Sequence, residues 1–258
     1  MFASGLIVPE TPKLVFPKPA IVKAENLELS KHMLLGMPLT LGMLPGKKLP
    51  FDLTYRDSYG TATDATSYNA GTLSFGPAAA TGHTRYILVC THGCVNTTAG
   101  RINSVTIAGT AATRLYFRSD SEGRPTEIWY IQNNNSTSGT VSAVTSTTGA
   151  SFGLSVWTLT NPLSITPTFT NSAGASSSTT NSVSITVPDG GAGVCLYSTN
   201  FNSGTSSWTN ATEQYEVTQQ SGQTSSGAKA TTVGTYTVTA TSAGAQNTTL
   251  VVACWSSL

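Results

Sequence analysis

The sequence predicts an all-β protein, an antiparallel β-sandwich of jelly-roll-like or Ig-like type preceded by an extended, proline-rich N-terminal arm. Three observations predict it. Composition breaks near Asp52: residues 1–52 hold seven of the twelve prolines, six of the seven lysines and all four methionines, but no arginine, cysteine, tryptophan or tyrosine. After the break, apolar residues recur at period 2 between small polar ones, as in Val105 and Ile107 or Val183, Ile185 and Val187, the pattern of a half-buried strand. Clusters of Gly, Asn, Asp, Ser and Pro separate these runs and supply residues that tolerate tight or left-handed backbone. The expected division is an arm, residues 1–52, and a sandwich domain, residues 53–258.

In the arm, each proline of "VPETPKLVFPKPAIV", Val8 to Val22, fixes its own φ, removes a donor and pushes the preceding residue toward extended backbone. A polyproline-like or edge-strand course is therefore expected, with room for one short helix at "AENLELSKHML", Ala24 to Leu34. Fifty extended residues reach up to about 170 Å, and such a segment cannot close a core of its own. Its apolar residues Val8, Leu14, Val15, Phe16, Ile21, Val22, Met33, Leu34, Leu35, Met37, Leu39 and Leu41 are expected to enter a core that a partner supplies. Pro9 and Pro12 interrupt any signal-like run, and "MLLGMPLTLGML", Met33 to Leu44, is shorter than the roughly 20 residues of a spanning helix. Neither a signal peptide nor a membrane span is expected.

In the body, strands are expected at "TLSFG", "RYILVCTHGC", "INSVTIAG", "ATRLYFRS", "TEIWYIQN", "TVSAVTS", "FGLSVWTLT", "SVSITV", "AGVCLYSTN", "TEQYEVTQ", "GTYTVTAT" and "TTLVVACWS". Two of them, around "YILVC" and "TLVVAC", are apolar on both faces and call for cover on the outward side, as from a neighbouring subunit. The turns are "DSEGRP", "NNNSTSG" and "PDGGAG". Residues 167–182 and 218–235 are low in large apolar side chains and read as long exposed loops or outer edge strands.

Charge and motifs exclude several function classes. With a formal net charge of +1 and 10% charged residues, the chain has no basic footprint for nucleic acid or an anionic membrane. In "CTHGC", a strand would put Cys90, His92 and Cys94 on one face, within reach of a shared metal. A fourth ligand is missing nearby, so these read as ordinary strand residues, and no metal or other cofactor is expected. A Cys90–Cys94 or Cys195–Cys254 disulfide stays open, since cross-strand distance is not visible in sequence.

The acids Asp57, Asp64, Asp120, Glu122, Glu127, Asp189, Glu213 and Glu216 fall in turns or at strand ends and read as solvated surface charge, not as a glycosidase pair. A Ser/His/Asp elbow is not expected, the body having only His83 and His92, and no catalytic residue is expected. The N-x-[ST] matches at Asn96, Asn134, Asn135, Asn210 and Asn247 follow from a composition rich in Asn, Ser and Thr. Trp129, Trp157 and Trp255 sit in strand-like runs and read as core anchors, whereas Trp208, in "NSGTSSWTNATEQYE", is a candidate surface aromatic for a ligand.

The order of body segments carries one further signal. "RYILVCTHG", "INSVTIAGTAATRLY", "FGLSVWTLTN", "SVSITVPDGGAGVCLYS", "WTNATEQYE" and "LVVACWS" resemble, over about residues 84–256, the β-sandwich domain of many tailed-bacteriophage and prophage virion proteins. In those proteins a "V-x-I-G-G-x-x-A-T" hairpin, a "V-P-x-G-G" turn and a "W-T-x-A-T-E-x-Y" segment recur in this order. Here Ala108 replaces a glycine, and cysteines stand at 195 and 254 where small residues are usual.

The resemblance implies a structural role in a phage particle assembled in the host cytoplasm. The body would be displayed on the surface as a decoration, fiber or neck-type component, and the arm laid over capsid, neck or tail subunits. Homo-oligomers are expected, as virions are built from symmetric copies. The alternative is a carbohydrate- or receptor-binding module, with Trp208 facing a host surface glycan.

Overall fold

The computed structural model describes residues 48–63, 65–95, 102–118, 125–199, 204–219 and 223–258. The arm's expected partner-binding residues, Val8 to Leu41, lie outside them. The described residues form fourteen strands and no helix, and every strand pair is antiparallel. The first sheet holds β1 (Asp52–Thr61), β2 (Ala65–Ser74), β3 (Arg85–Val95), β4 (Ile102–Ile107), β5 (Thr110–Ala111), β6 (Thr113–Arg118), β7 (Thr126–Gln132) and β8 (Ser138–Thr160). The second holds β9 (Phe169–Val187), β10 (Ala192–Thr199), β11 (Ser206–Thr209), β12 (Thr212–Thr218), β13 (Thr224–Ala230) and β14 (Gly234–Trp255).

Two long strands organise these sheets. β8 joins what the sequence reads as two strands, "TVSAVTS" and "FGLSVWTLT". Its first half pairs with β2 and β4, and its second half with β1 and β3. Between the halves the inward residues change from odd positions, Val141 and Ala143, to even ones, Phe152, Leu154 and Val156. That change of phase lets one face stay inside as the small-residue stretch "STTGAS" turns the strand. The first sheet thereby curls into a nearly closed, barrel-like roll. β14 likewise joins "GTYTVTAT" to "TTLVVACWS" and pairs with β9 along both, with register shifts between Thr241 and Thr248.

Three apolar clusters result. Ile87, Val89, Trp129, Phe152 and Leu154 fill the inside of the first roll. Leu53, Leu88, Ile128, Trp157, Val251 and Trp255 lie between the two sheets, which pack face to face as a sandwich. Val183, Ile185, Tyr197, Leu250 and Val252 form the third cluster, from strands of the second sheet alone. Each doubly apolar strand therefore serves two clusters: β3 sends Ile87 and Val89 one way and Leu88 and Cys90 the other. The outward cover expected from a neighbouring subunit comes instead from the chain's own bends.

Residues 167–182 match one of their two expected forms, since β9 is an exposed strand paired only with β14. Residues 218–235 do not. They contain β13, which lies between β10 and β12 and is almost wholly buried. The reason is close approach: a Cβ at Gly227 would come within 2.2 Å of the Tyr215 ring. The small residues of β13 mark tight packing, not exposure. At the β4–β5 turn, Ala108 and Gly109 both have positive φ (50° and 77°), as a two-residue hairpin requires.

This packing predicts that Gly227→Ala is destabilising. Overpacking of this kind costs about 1–3 kcal/mol, and the drop should appear as a lower urea midpoint with an unchanged slope.

Candidate functional site

The chemistry-bearing residues of the body fall into three groups. The first is a polar layer at one end of the sheet–sheet interface. His92, on β3, is buried, and its Nε2 lies 2.8 Å from the Tyr215 hydroxyl of β12. Trp157 Nε1 donates to Ser155 Oγ at 3.0 Å, Ser151 Oγ donates to Gln223, and Thr126 and Ser198 hydroxyls meet at 3.4 Å. Burial lowers the His92 pKa to about 3 and pushes the Tyr215 phenol well up, so both stay uncharged.

The layer is thus a neutral hydrogen-bonded seam closed to solvent. His92 is held by a tyrosine, and no group of three or more His, Cys, Asp or Glu side chains among the described residues is placed to hold a metal. The side chain of Cys94 lies outside the described set. Cys90, Cys195 and Cys254 are free, buried thiols.

The second group corrects the sequence reading. Glu127, expected as surface charge, is fully buried, facing the inside of the first roll beside Trp129. Its Oε1 accepts from the Ile102 backbone N–H at 3.4 Å, and Oε2 lies 3.6 Å from Arg114 Nη1. Arg114 also covers the rings of Phe117 and Trp129, with its guanidinium carbon 4.7 and 5.5 Å from their centroids. Burial raises the Glu127 pKa to about 7, against the smaller opposing pull of Arg114. Strand parity carries the signal, since residues 127, 129 and 131 share a face. Asp57 accepts from the Ser58 and Ser74 amides and Glu216 from Ser206, whereas Asp189 and Glu213 are exposed, as expected of surface charge. Asp64, Asp120 and Glu122 lie outside the described residues.

The third group is on the surface. Trp129, Trp157 and Trp255 are buried, as expected for core anchors. Trp208 is half-buried on β11, packed edge-on to Tyr197 with ring centroids 6.2 Å apart and set against the third cluster. Close by, the β13–β14 connection separates two recesses. One, of about 300 Å³, is lined by Asn210, Thr232, Val233, Thr235 and Tyr236. The other, of about 280 Å³, is lined by Phe51, Asp52, Gly190, Gly191, Lys229 and Val233. Val233 forms the wall common to both and is 54% exposed.

No family model, no curated protein and no solved structure matches this chain. The body's own geometry and the order of its segments are therefore the guides to its function.

Two outcomes are expected. Glu127 in the folded state holds a proton that the unfolded chain releases between pH 4.5 and about 7. Its contribution to stability is present below pH 4.5 and lost as pH rises through 7, by about 1–3 kcal/mol. Glu127→Gln should therefore flatten the dependence of melting temperature on pH between 5 and 8 and stabilise the protein most at the alkaline end. Burial also pushes the Cys90, Cys195 and Cys254 thiols up, so a thiol reagent at pH 8 should label these three only at the rate of unfolding. Peptide mapping after timed labelling reads this directly.

Proposed function

We propose that the chain is a structural component of a bacteriophage virion, a jelly-roll-like body displayed at the particle surface and held to other virion subunits by its N-terminal arm. The role is structural, not catalytic, and the chain works as a homo-oligomer among capsid, neck or tail subunits. The ordered motifs of the body support this reading, as does the composition break near Asp52.

The observation that carries it is the way the body holds its own first residues, Pro50 and Phe51. Asn161, buried and at φ 49°, takes the Thr84 N–H on Oδ1 at 2.9 Å, which orients its amide. Its Nδ2 then donates to the Pro50 carbonyl and to His83 Nδ1, both at 2.9 Å. Phe51 packs against the interface cluster, and β1 begins at Asp52. The last residues before the sandwich are thus fastened into it, as an anchoring tether requires.

This hold also sets the boundary for the test. Deleting residues 2–47 spares Pro50 and Phe51, so the truncated body should fold with a melting temperature within a few degrees of the full chain. It should then fail to incorporate into particles; normal incorporation would overturn the anchor. Asn161→Ala removes several buried hydrogen bonds and should cost about 1–3 kcal/mol, measured by denaturant unfolding of the full chain.

A further inference from the structure

The two recesses beside the β13–β14 connection share a wall, and each pairs an aromatic residue with polar groups. On one side stand Tyr236 and the Asn210 amide, with threonine hydroxyls from Thr232 and Thr235. On the other stand Phe51 and the charges of Asp52 and Lys229, 3.9 Å apart. A sugar ring offers apolar C–H patches and a rim of hydroxyls that both donate and accept, and this mixture of partners fits it.

The polar groups are also fixed in advance. Asn210 has a left-handed backbone, φ 62°, and its Nδ2 is held by the Thr237 carbonyl at 2.8 Å. The Asp52 carboxylate is oriented by the Thr54 hydroxyl. Groups held before binding lose little freedom on binding. The connection between the recesses, Thr231 to Val233, is outside the strands, so it offers no row of ladder hydrogen bonds to an extended peptide.

We propose that the paired recesses astride Val233 form a binding site for a neutral oligosaccharide, with one sugar against Tyr236 and Asn210 and the next against Phe51 and the Asp52–Lys229 pair. This adds the neighbouring turn to Trp208 as a ligand-binding candidate, the rings of Trp208 and Tyr236 both being half-buried against the third cluster. It adds a partner class to surface display but does not depend on the arm, because the chain lacking residues 2–47 keeps every residue of both recesses.

The test uses the full chain on an array of neutral di- to hexasaccharides, with titration calorimetry on any sugar retained. Val233→Arg alters an exposed position and should leave the melting temperature unchanged, whereas Asn210→Ala, at a left-handed residue bonded to the Thr237 carbonyl, should lower it by a few degrees. Each is expected to weaken binding tenfold or more, and the arm-deleted chain should bind as the full chain does. The proposal is overturned if no saccharide on the array is retained, or if both variants bind as tightly as the unmodified protein. Neither result bears on particle incorporation, so the two readings fail separately.

Discussion

A strand that is apolar on both faces has to be covered twice, and here the cover comes from bending the strands that flank it. β3 and the second half of β14 send alternate side chains into different clusters. A flat sandwich would bury one set and leave the other in water, at roughly 25 cal/mol for each Å² of apolar surface left exposed. β8 and β14 remove that loss by turning midway, so their first halves close over the outer faces of their second halves. The bend in β8 works because the residues that turn are small and the inward phase changes there. The apolar clusters, the central place of β10 and the seam where the sheets meet all depend on these two bends.

The seam shows how close approach selects residue types. Tyr215 crosses from β12 to reach His92, and its ring occupies the space that a side chain at residue 227 would need. At Gly153 a Cβ would fall 2.1 Å from the Gln219 amide nitrogen, so the opposite sheet also gives way to a polar side chain. Glycine and serine there allow one large or polar group to sit between sheets with its hydrogen bonds made. Because burial keeps His92 and Tyr215 neutral, the seam avoids the desolvation cost of a charge. Arg85 solves the opposite problem: buried and charged, it donates to backbone carbonyls of Phe75, Pro77, Asn133 and Ser136 and so ties two loops together.

Alternation makes much of this fold legible in the sequence. Val105 and Ile107 on β4 and Val183, Ile185 and Val187 on β9 are buried on the faces their spacing assigns. What alternation does not convey is continuity. "TVSAVTS" and "FGLSVWTLT" look like two strands because the turning residues between them are those of a loop, yet backbone pairing runs through. β13 is hidden for a related reason, since hydropathy cannot tell a small residue in water from one under a tyrosine ring. β1, "DLTYRDSYGT", escapes the pattern because its charged residues break the alternation, although Leu53 is fully buried. At the candidate site, the aromatic character of residues 208–216 is visible in sequence, but the recesses are not. They need Phe51, Asn210 and residues 229–236 brought together from three separate stretches.

The join at Pro50 and Phe51 bears on how a tether of this kind would carry load. β1 comes directly after it and is paired antiparallel with the second half of β8 from Asp52 opposite Thr160 to Thr61 opposite Phe152. A pull directed along β1 would shear this set of backbone hydrogen bonds together instead of opening them one at a time. Before that force reaches the ladder, it meets the Asn161 amide on Pro50 and the Phe51 ring in the interface cluster. β8 in turn pairs with β2, β3 and β4, which spreads the load through the first roll. The strand that lets the sheet cover its own apolar faces is therefore also the strand that pairs with β1, directly after Pro50 and Phe51.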